Sequence, residues 1–341
     1  MRVLIALDWS EQAFAAVREA SYLYDLHEVV LLHGIDLGMF QYPIVAEVSS
    51  MQGYDDFRTA MKKAGEQLLD HTTTLLPAKG VSITRVCEFA KPASLILDKA
   101  RDLRPELIVL GARGRGRVGE FVLGSVSHRV ALHADCTTLI VKEREGPVKR
   151  VTVAVEGHED AERIKSWLLA HPFRNPVDLT IVSVVRPIPA TDPFSLFPLQ
   201  DWTGIAVRSA EDLVKQLAAS VMNNRYTVGT QVSVGDPTDI LTERAKSADL
   251  LIIGSHGRKG LERFLLGVFL THCSTRSPVP CCWYDEVSGN LSEDIESSSN
   301  HKGVPHENLQ YSLRSLPRDP GKHLGRRPDQ SRQSSRRPGH L

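Results

Sequence analysis

The chain has 341 residues, of which 42% are hydrophobic and 24% charged, and its 41 basic residues match its 41 acidic residues. This length exceeds what a single small core needs and favours two domains. The charge balance argues against a dedicated nucleic-acid-binding protein, and no apolar run in the sequence reaches the roughly 18 residues of a membrane-spanning helix.

Predicted strands and helices alternate through the first half of the chain. The apolar run "RVLIALD" predicts the first strand, and Ser10 is a suitable N-cap residue for the helix after it. Pro92 stands in the first turn of the third helix, where proline is tolerated. In chain order, strands are expected at 2–8, 28–35, 81–89, 106–111 and 137–142, and helices at 11–26, 54–76, 92–103 and near 118–132.

The second half of the chain repeats the first. Three segments return in the same order: "RVLIALD" as "RVTVAVE", "KPASLILDKA" as "DPTDILTERA", and "ELIVLGARG" as "DLLIIGSHG". A unit of about 145 residues is the size of a complete domain and not of a solenoid repeat. The elements of the second copy are therefore expected in the same order, at 149–156, 159–170, 177–185, 204–222, 226–234, 237–246, 249–255, 258–273 and 279–284.

This alternation predicts the fold class. Strands separated by helices pair in parallel, because the connection must cross over a face of the sheet. The sequence therefore predicts an α/β fold, with two tandem, doubly wound, parallel five-stranded sheets and helices on both faces. We expect domains at 1–146 and 147–285. The polar and basic tail at 286–341 has too few apolar residues to fold and is expected to be disordered.

The start of the chain and its cysteines indicate a compartment. Before Asp8 the apolar run is only five residues long, too short for the core of a signal peptide. The cysteines at 87, 136, 273, 281 and 282 are odd in number and lack metal-type spacing, which argues against a disulfide framework. We expect a soluble, cytoplasmic protein.

A glycine-rich and arginine-rich stretch follows the fourth predicted strand. Gly111 and Gly114 lie just past the fourth strand, and Gly124 and Ser125 come ten and eleven residues after Gly114, a spacing that can return the chain to the same region. Backbone N–H groups in such a turn can point together at a phosphate, and glycine allows the close approach. Arg113 adds positive charge. The alternative is a tight turn that happens to be basic.

Asp8 follows the first strand and is expected at the same edge of the sheet. A carboxylate there can accept hydrogen bonds from ribose hydroxyls, as an acidic residue does in dinucleotide-binding folds. Alone, it has an equally good structural explanation, as a carboxylate that caps the following helix. The phosphate loop expected at the same edge favours the nucleotide interpretation.

These residues carry a resemblance to a known family. The pattern G-2X-G-9X-G-[ST], formed by Gly111, Gly114, Gly124 and Ser125, resembles the ATP-binding signature of universal stress protein domains. Asp8, "LLHGID" and "GSVSHRV" agree with it. The resemblance covers roughly residues 1–285, as a tandem of two domains, and implies the fold of adenine-nucleotide alpha-hydrolase-like proteins.

The resemblance also implies a ligand, ATP or another adenine nucleotide, with or without Mg²⁺. By position, Asp8 would hold the ribose, while the Ala6–Leu7 backbone and Gly34 would flank adenine. The family usually has a larger apolar residue at the Gly34 position, which implies looser packing of adenine here. The phosphates would be cradled by Gly111, Arg113, Gly114, Gly124, Ser125, Val126 and Ser127.

The second copy departs from the family pattern. Gly254, Gly257 and Gly267 keep the spacing, and His256 lies in the same turn, but Val268 replaces the hydroxyl residue and Glu156 replaces the aspartate. Valine cannot donate a hydrogen bond, and the longer glutamate shifts its carboxylate. We therefore expect this second site to bind nucleotide more weakly or not at all.

No catalytic or metal-binding pattern accompanies the glycine stretch. His128 and His133 are five residues apart, off the i,i+4 spacing of a zinc-binding helix face. No serine elbow or acidic pair recommends a catalyst, so we expect no enzyme, or at most slow ATP hydrolysis.

Together these features predict a nucleotide-binding regulatory protein of the stress response, without a membrane or specific nucleic-acid partner. The resemblance implies that "TTLIVK" and "PCCWYD" pair between the two copies, and a homodimer of the whole chain is left open. The alternatives are a protein-interaction scaffold of the same fold that binds no nucleotide and, less favoured, an ATP-activating enzyme.

Overall fold

The computed structural model describes residues 1–38, 53–77, 79–114, 123–142, 147–187 and 202–254, together with the backbone of 281–284. Residues Met1–Ser288 form one compact unit, which contains all of these. The tail predicted to be disordered, 286–341, lies outside the described residues. Within the described part of the chain, no helix combines the length and apolarity needed to cross a membrane.

The two copies consist of alternating strands and helices in matching order. The first copy comprises β1 (Arg2–Ala6), α1 (Glu11–Leu23), β2 (Glu28–Gly34), α2 (Tyr54–Thr73), β3 (Ser82–Glu88), α3 (Pro92–Leu103), β4 (Leu107–Gly111), α4 (Ser125–His133) and β5 (Thr137–Val141). The second comprises β6 (Arg150–Ala154), α5 (His158–Ala170), β7 (Val177–Val185), α6 (Trp202–Val221), β8 (Tyr226–Val234), α7 (Pro237–Ala245), β9 (Leu250–Gly254) and β10 (Cys281–Tyr284).

The ten strands form one continuous sheet in the order β3-β2-β1-β4-β5-β10-β9-β6-β7-β8. Within each copy the strands are parallel and the order reverses beside the first strand, which confirms the predicted doubly wound fold. At the centre, β10 pairs antiparallel with β5, with Cys281 opposite Ile140 and Cys282 opposite Leu139. The predicted pairing of the two fifth strands is therefore present.

One apolar core runs through both copies on the face of the sheet that α1 and α5 cover. Its members include Val3 and Val109 of the first copy and Val153 and Ile252 of the second, each 2% exposed or less. The apolar runs of β1, β4, β6 and β9 produce this continuity, because strands covered on both faces are apolar at consecutive positions.

An aromatic cluster joins the two copies within that core. Tyr24, directly after α1, stacks on Phe173 of the second copy with ring centroids 5.5 Å apart, and meets Trp167 edge-to-face at 6.3 Å. Arg174 donates its backbone N–H to the Leu23 carbonyl at 2.9 Å and forms an ion pair with Asp25 at 3.0 Å. The copies are therefore packed against each other as well as hydrogen-bonded through the sheet.

Several element boundaries differ from the sequence prediction by a few residues, and the predicted helix at 258–273 lies outside the described residues. Two of the differences bear on the candidate site. Strand β1 ends at Ala6 and not at residue 8, because Asp8 turns to accept the backbone N–H of Ser10 at 3.0 Å. Helix α4 begins at Ser125 and not near residue 118, with Gly124 in extended backbone as its N-cap. The turn after β1 and the start of α4 therefore both lie at the carboxyl edge of the first sheet.

Candidate functional site

A cavity of about 310 Å³ opens at the carboxyl edge of the first copy, beside β1 and β4, where the strand order reverses. Ligands of doubly wound sheets bind at such a switch point. All eleven residues predicted for the first nucleotide site line this cavity: Ala6, Leu7, Asp8, Gly34, Gly111, Arg113, Gly114, Gly124, Ser125, Val126 and Ser127.

Asp8 is half-buried at the mouth of this cavity and has a fixed carboxylate. Its Oδ1 accepts the Ser10 N–H at 3.0 Å and the Ser10 hydroxyl at 2.5 Å. The N-cap of α1 is Ser10 itself, whose hydroxyl oxygen accepts the Ala13 N–H at 3.2 Å. The helix-capping role that offered a structural explanation for Asp8 is therefore filled by Ser10.

The glycines at positions 111 and 114 lie close to neighbouring segments. A Cβ at Gly111 would lie 2.9 Å from the backbone nitrogen of Ala13, so a side chain there would push the start of α1 away. A Cβ at Gly114 would overlap Asp8 Oδ2, so a side chain there would require the Asp8 carboxylate to move. Glycine therefore lets the loop after β4 approach the carboxylate after β1.

The amino end of α4 faces the same cavity. Gly124 donates its N–H to the Ala112 carbonyl at 2.8 Å and caps α4 without a side chain. Ser125, Val126 and Ser127 are the first three helical residues, whose N–H groups have no partner inside the helix and can bind an anion. The Ser127 hydroxyl donates to the Gly111 carbonyl at 2.7 Å, so Ser125 has the hydroxyl better placed for a ligand.

The remaining lining of the cavity is apolar, and the sequence analysis did not assign its residues to the site. They are Ala13, Leu32, Pro92, Ile96 and Leu110. A Cβ at Gly34 would lie 3.0 Å from the Pro92 Cα, so α3 approaches closely where a side chain would otherwise stand. The recurrence of "KPASLIL" as "DPTDIL" was the available signal, because it marks the first turn after the third strand in both copies.

Other candidate groups lie away from this cavity. Cys87 is buried, and this burial raises the pKa of its thiol, which keeps it protonated and unreactive near neutral pH. Among the described residues, no group of three or more His, Cys, Asp and Glu side chains could hold a metal ion.

The corresponding edge of the second copy is different. Of the residues predicted for a second site, Glu156 is exposed and Gly254 ends β9, while His256, Gly257 and Gly267 lie outside the described residues. Asp160 is only 6% exposed, and its carboxylate lies against Gly254, where a Cβ would overlap it. Its Oδ2 accepts the Glu156 N–H at 3.3 Å.

The side wall of this second edge differs as well. The registers Ala6–Leu32 and Ala154–Val182 make Val184 the counterpart of Gly34. Val184 is partly buried and packs against an apolar cluster that contains Leu241 and residues of both copies. A branched side chain therefore stands where the first copy has none.

Comparisons with known proteins agree with this architecture. The sequence model of the universal stress protein family matches residues 1–142 and 147–282. A universal stress protein of Mycolicibacterium smegmatis is 27% identical over 293 residues, which cover 82% of this chain and 95% of that protein. The universal stress protein YxiE of Bacillus subtilis is 31% identical over 151 residues, covering 41% of this chain and 98% of its own.

A solved structure shows the same fold. The crystal structure of a universal stress protein from Archaeoglobus fulgidus aligns with 84% of this chain and 96% of its own, with a TM-score of 0.57 and 18% identity. One family match falls on each copy of the repeat. The chain therefore belongs to the universal stress protein family, as a tandem of two of its domains.

Proposed function

We propose that the chain is a cytoplasmic regulatory protein of the stress response that binds ATP or a related adenine nucleotide in its first copy. The observation that carries the proposal is the convergence of Asp8, the glycine loop and the amino end of α4 on one cavity. These groups come from three separate segments, and each has the chemistry that one part of a nucleotide requires.

The phosphate end of the cavity fits a polyanion. The backbone N–H groups of Ser125, Val126 and Ser127 stand at a helix N-terminus, where the helix dipole favours negative charge. Arg113 adds a full positive charge to the lining. A Cβ at Gly124 would lie 3.2 Å from the Ala112 carbonyl oxygen, so the cradle tolerates only glycine there without a shift.

The remaining surface fits a nucleoside. Leu32, Ile96 and Leu110 provide an apolar wall for a flat base, and Asp8 provides the acceptor for ribose hydroxyls. When ATP is bound with Mg²⁺, the ion would come with the triphosphate. Apolar walls with a few polar groups are typical of small-molecule sites of this size.

The second copy is proposed to bind nucleotide more weakly or not at all. The buried Asp160 carboxylate lies against the last residue of β9, at the edge where a phosphate would have to approach. Val184 in place of Gly34 also puts a branched side chain at this edge, where the first copy has none.

We propose binding without efficient catalysis. Of the sixteen described residues that line the cavity, Asp8 is the one carboxylate, and none is a histidine, lysine or cysteine. Phosphoryl transfer needs a metal clamp and a positioned nucleophile, which this set supplies poorly. Nucleotide would act as a signal by binding one arrangement of the protein better than another.

Two measurements on the purified full chain test this function. Acid quenching followed by nucleotide chromatography identifies any copurified adenine nucleotide, and equilibrium dialysis with labelled ATP counts the sites. We expect one tight site per chain. Two sites of equal affinity would contradict the proposed difference between the copies.

Absence of binding to any adenine nucleotide would contradict the nucleotide function and favour the protein-interaction scaffold. Formation of AMP and pyrophosphate across a panel of carboxylate substrates would instead favour an ATP-activating enzyme. Intact recovery of ATP after prolonged incubation with Mg²⁺ is the result that the binding function predicts.

A further inference from the structure

The hydroxyl group of Ser10 contacts three different segments at the edge of the cavity. It donates to Asp8 Oδ1 at 2.5 Å and approaches the carbonyl oxygen of Arg113 at 3.3 Å, while its oxygen accepts the Ala13 N–H at 3.2 Å. These partners belong to the turn after β1, the glycine loop after β4 and the first turn of α1. Ser10 therefore links the acidic and the phosphate-facing parts of the site.

Helix capping explains only one of these contacts. An N-cap side chain needs an acceptor for a backbone N–H, which the Ala13 contact provides. Donation of the hydroxyl hydrogen to a carboxylate is a separate, charge-assisted hydrogen bond, stronger than a neutral one. Both Ser10 contacts to Asp8 fall on Oδ1, and Oδ2 lies beside Gly114, so the plane of the carboxylate is fixed.

The second copy lacks this arrangement. His158 stands at the position of Ser10, and the N-cap of α5 is Gly157, which makes no side-chain hydrogen bond. The Glu156 N–H donates to Asp160 instead. The copy whose site has diverged is thus also the copy without the hydroxyl link.

We infer that Ser10 is a positioning residue that orients Asp8 for the ribose and thereby makes the site prefer ribonucleotides to 2′-deoxyribonucleotides. This inference rests on the proposed binding of nucleotide in the first copy. A carboxylate held in one plane presents its oxygens to paired hydroxyls at a set angle, whereas a rotating carboxylate must lose that freedom on binding. Ser10 itself need not touch the nucleotide.

The variant Ser10→Gly separates positioning from capping. Glycine is nearly as good an N-cap as serine, so the stability of α1 changes little, but the hydroxyl is removed. Ser10→Thr restores a hydroxyl at the same position. Asp236→Ala is the matched capping control, because the Asp236 side chain caps α7 by accepting the N–H groups of Thr238 and Asp239.

The experiment measures the affinities of the full chain and these three variants for ATP and 2′-deoxy-ATP by equilibrium dialysis, alongside their melting temperatures. We expect Ser10→Gly to weaken the binding of ATP about tenfold, as for loss of one charge-assisted hydrogen bond, and the binding of 2′-deoxy-ATP less than about threefold. Ser10→Thr should recover the wild-type ratio of the two affinities. Asp236→Ala should lower the melting temperature and leave the ratio unchanged.

If Ser10→Gly leaves the ratio of the ATP and 2′-deoxy-ATP affinities unchanged, the positioning role is overturned while nucleotide binding in the first copy still stands. The same change of ratio in Asp236→Ala would show that a lost helix cap suffices, which also overturns it. If the wild-type chain binds neither nucleotide, the proposed function fails and the inference fails with it.

Discussion

The two copies have the same strand order and comparable registers, yet their carboxyl edges differ in almost every group that could contact a ligand. The first copy has glycines at 34 and 111, against which neighbouring helices pack closely, and holds Asp8 by the Ser10 hydroxyl. The second places Asp160 against Gly254 and Val184 beside its edge. The strand order is therefore shared by the two copies, whereas the side chains at the ligand-facing edge differ, both at strand ends and in the first turn of the following helix.

The difference follows from what each position does for folding. A residue such as Val109 or Ile252 is buried between helices, so its replacement leaves a cavity in the shared core. A residue at the carboxyl edge of the sheet contributes less to this core. Its exchange changes which ligands the edge admits.

The largest effect is expected from Gly124→Val in the first copy. The branched side chain must displace the Ala112 carbonyl or project into the cavity, since even a Cβ would lie 3.2 Å from that oxygen. We expect ATP affinity to fall about a thousandfold, equivalent to about 4 kcal/mol, in equilibrium dialysis. Undiminished affinity would show that the loop assignment is wrong.

Gly157→Val is the matched control for this change. Gly157 is also a helix N-cap glycine, but among the described residues beyond its chain neighbours no atom lies within 4 Å of where its Cβ would be. Its substitution should alter ATP affinity less than about twofold, as for a surface change away from the site.

The next effect tests whether the copies share one core in spite of their different edges. Phe173→Ala removes a ring that is 1% exposed and that stacks on Tyr24 of the first copy. We expect a loss of about 3 kcal/mol in the free energy of unfolding, from urea denaturation followed by circular dichroism. The whole transition should shift, because the cluster joins both copies.

Leu169→Ala provides the comparison for that experiment. Leu169 lies on α5, does not belong to the aromatic cluster and is 50% exposed. It should cost less than about 1 kcal/mol. A biphasic transition in Phe173→Ala, in which the first copy unfolds as in wild type, would show that the copies are energetically independent.

The third effect, about tenfold in ATP affinity, distinguishes the two acidic residues that follow β1 and β6. Asp8→Asn removes the charged acceptor proposed to hold the ribose, and ATP affinity should fall about tenfold. Glu156→Gln, at the equivalent place in the second copy, should change it less than about twofold. Equal losses in the two variants would mean that both edges bind nucleotide.

The smallest effect concerns the amino edge of the second copy. Burial raises the pKa of Asp249, but hydrogen bonds from Arg150 and Lys149 outweigh it and hold the pKa below its ordinary value. Asp249 therefore stabilises the fold above its unfolded-state pKa of about 3.9, and that contribution is lost as the pH falls through its lower folded pKa.

Asp249→Asn should accordingly cost about 1 kcal/mol of unfolding free energy at pH 7. The difference from wild type should begin to shrink below about pH 4. Denaturation midpoints across a pH series measure it. A difference that grows as the pH falls would contradict the assigned sign.

Much of this architecture could be predicted from the sequence because its signals are local. The proline at 92 marked the start of α3, and the repeat predicted the order of the described elements of the second copy. Asp8 and Gly111 could be assigned to one edge because parallel strands end together.

Contacts between distant segments could not be predicted in this way. Periodicity indicates which face a residue takes, but it does not show that the Asp160 carboxylate reaches Gly254, or that the Ser127 hydroxyl is already donated to the Gly111 carbonyl. Both depend on how closely a helix approaches the strand beside it, which side-chain volumes across the whole core decide.

The antiparallel pairing of β5 with β10 has a consequence for how the joined sheet depends on protein concentration. Both strands belong to one polypeptide, so the local concentration at which they meet is a property of the chain and is unaffected by dilution. A cell can therefore hold very few or very many of these molecules, and the same fraction of them will have the joined sheet.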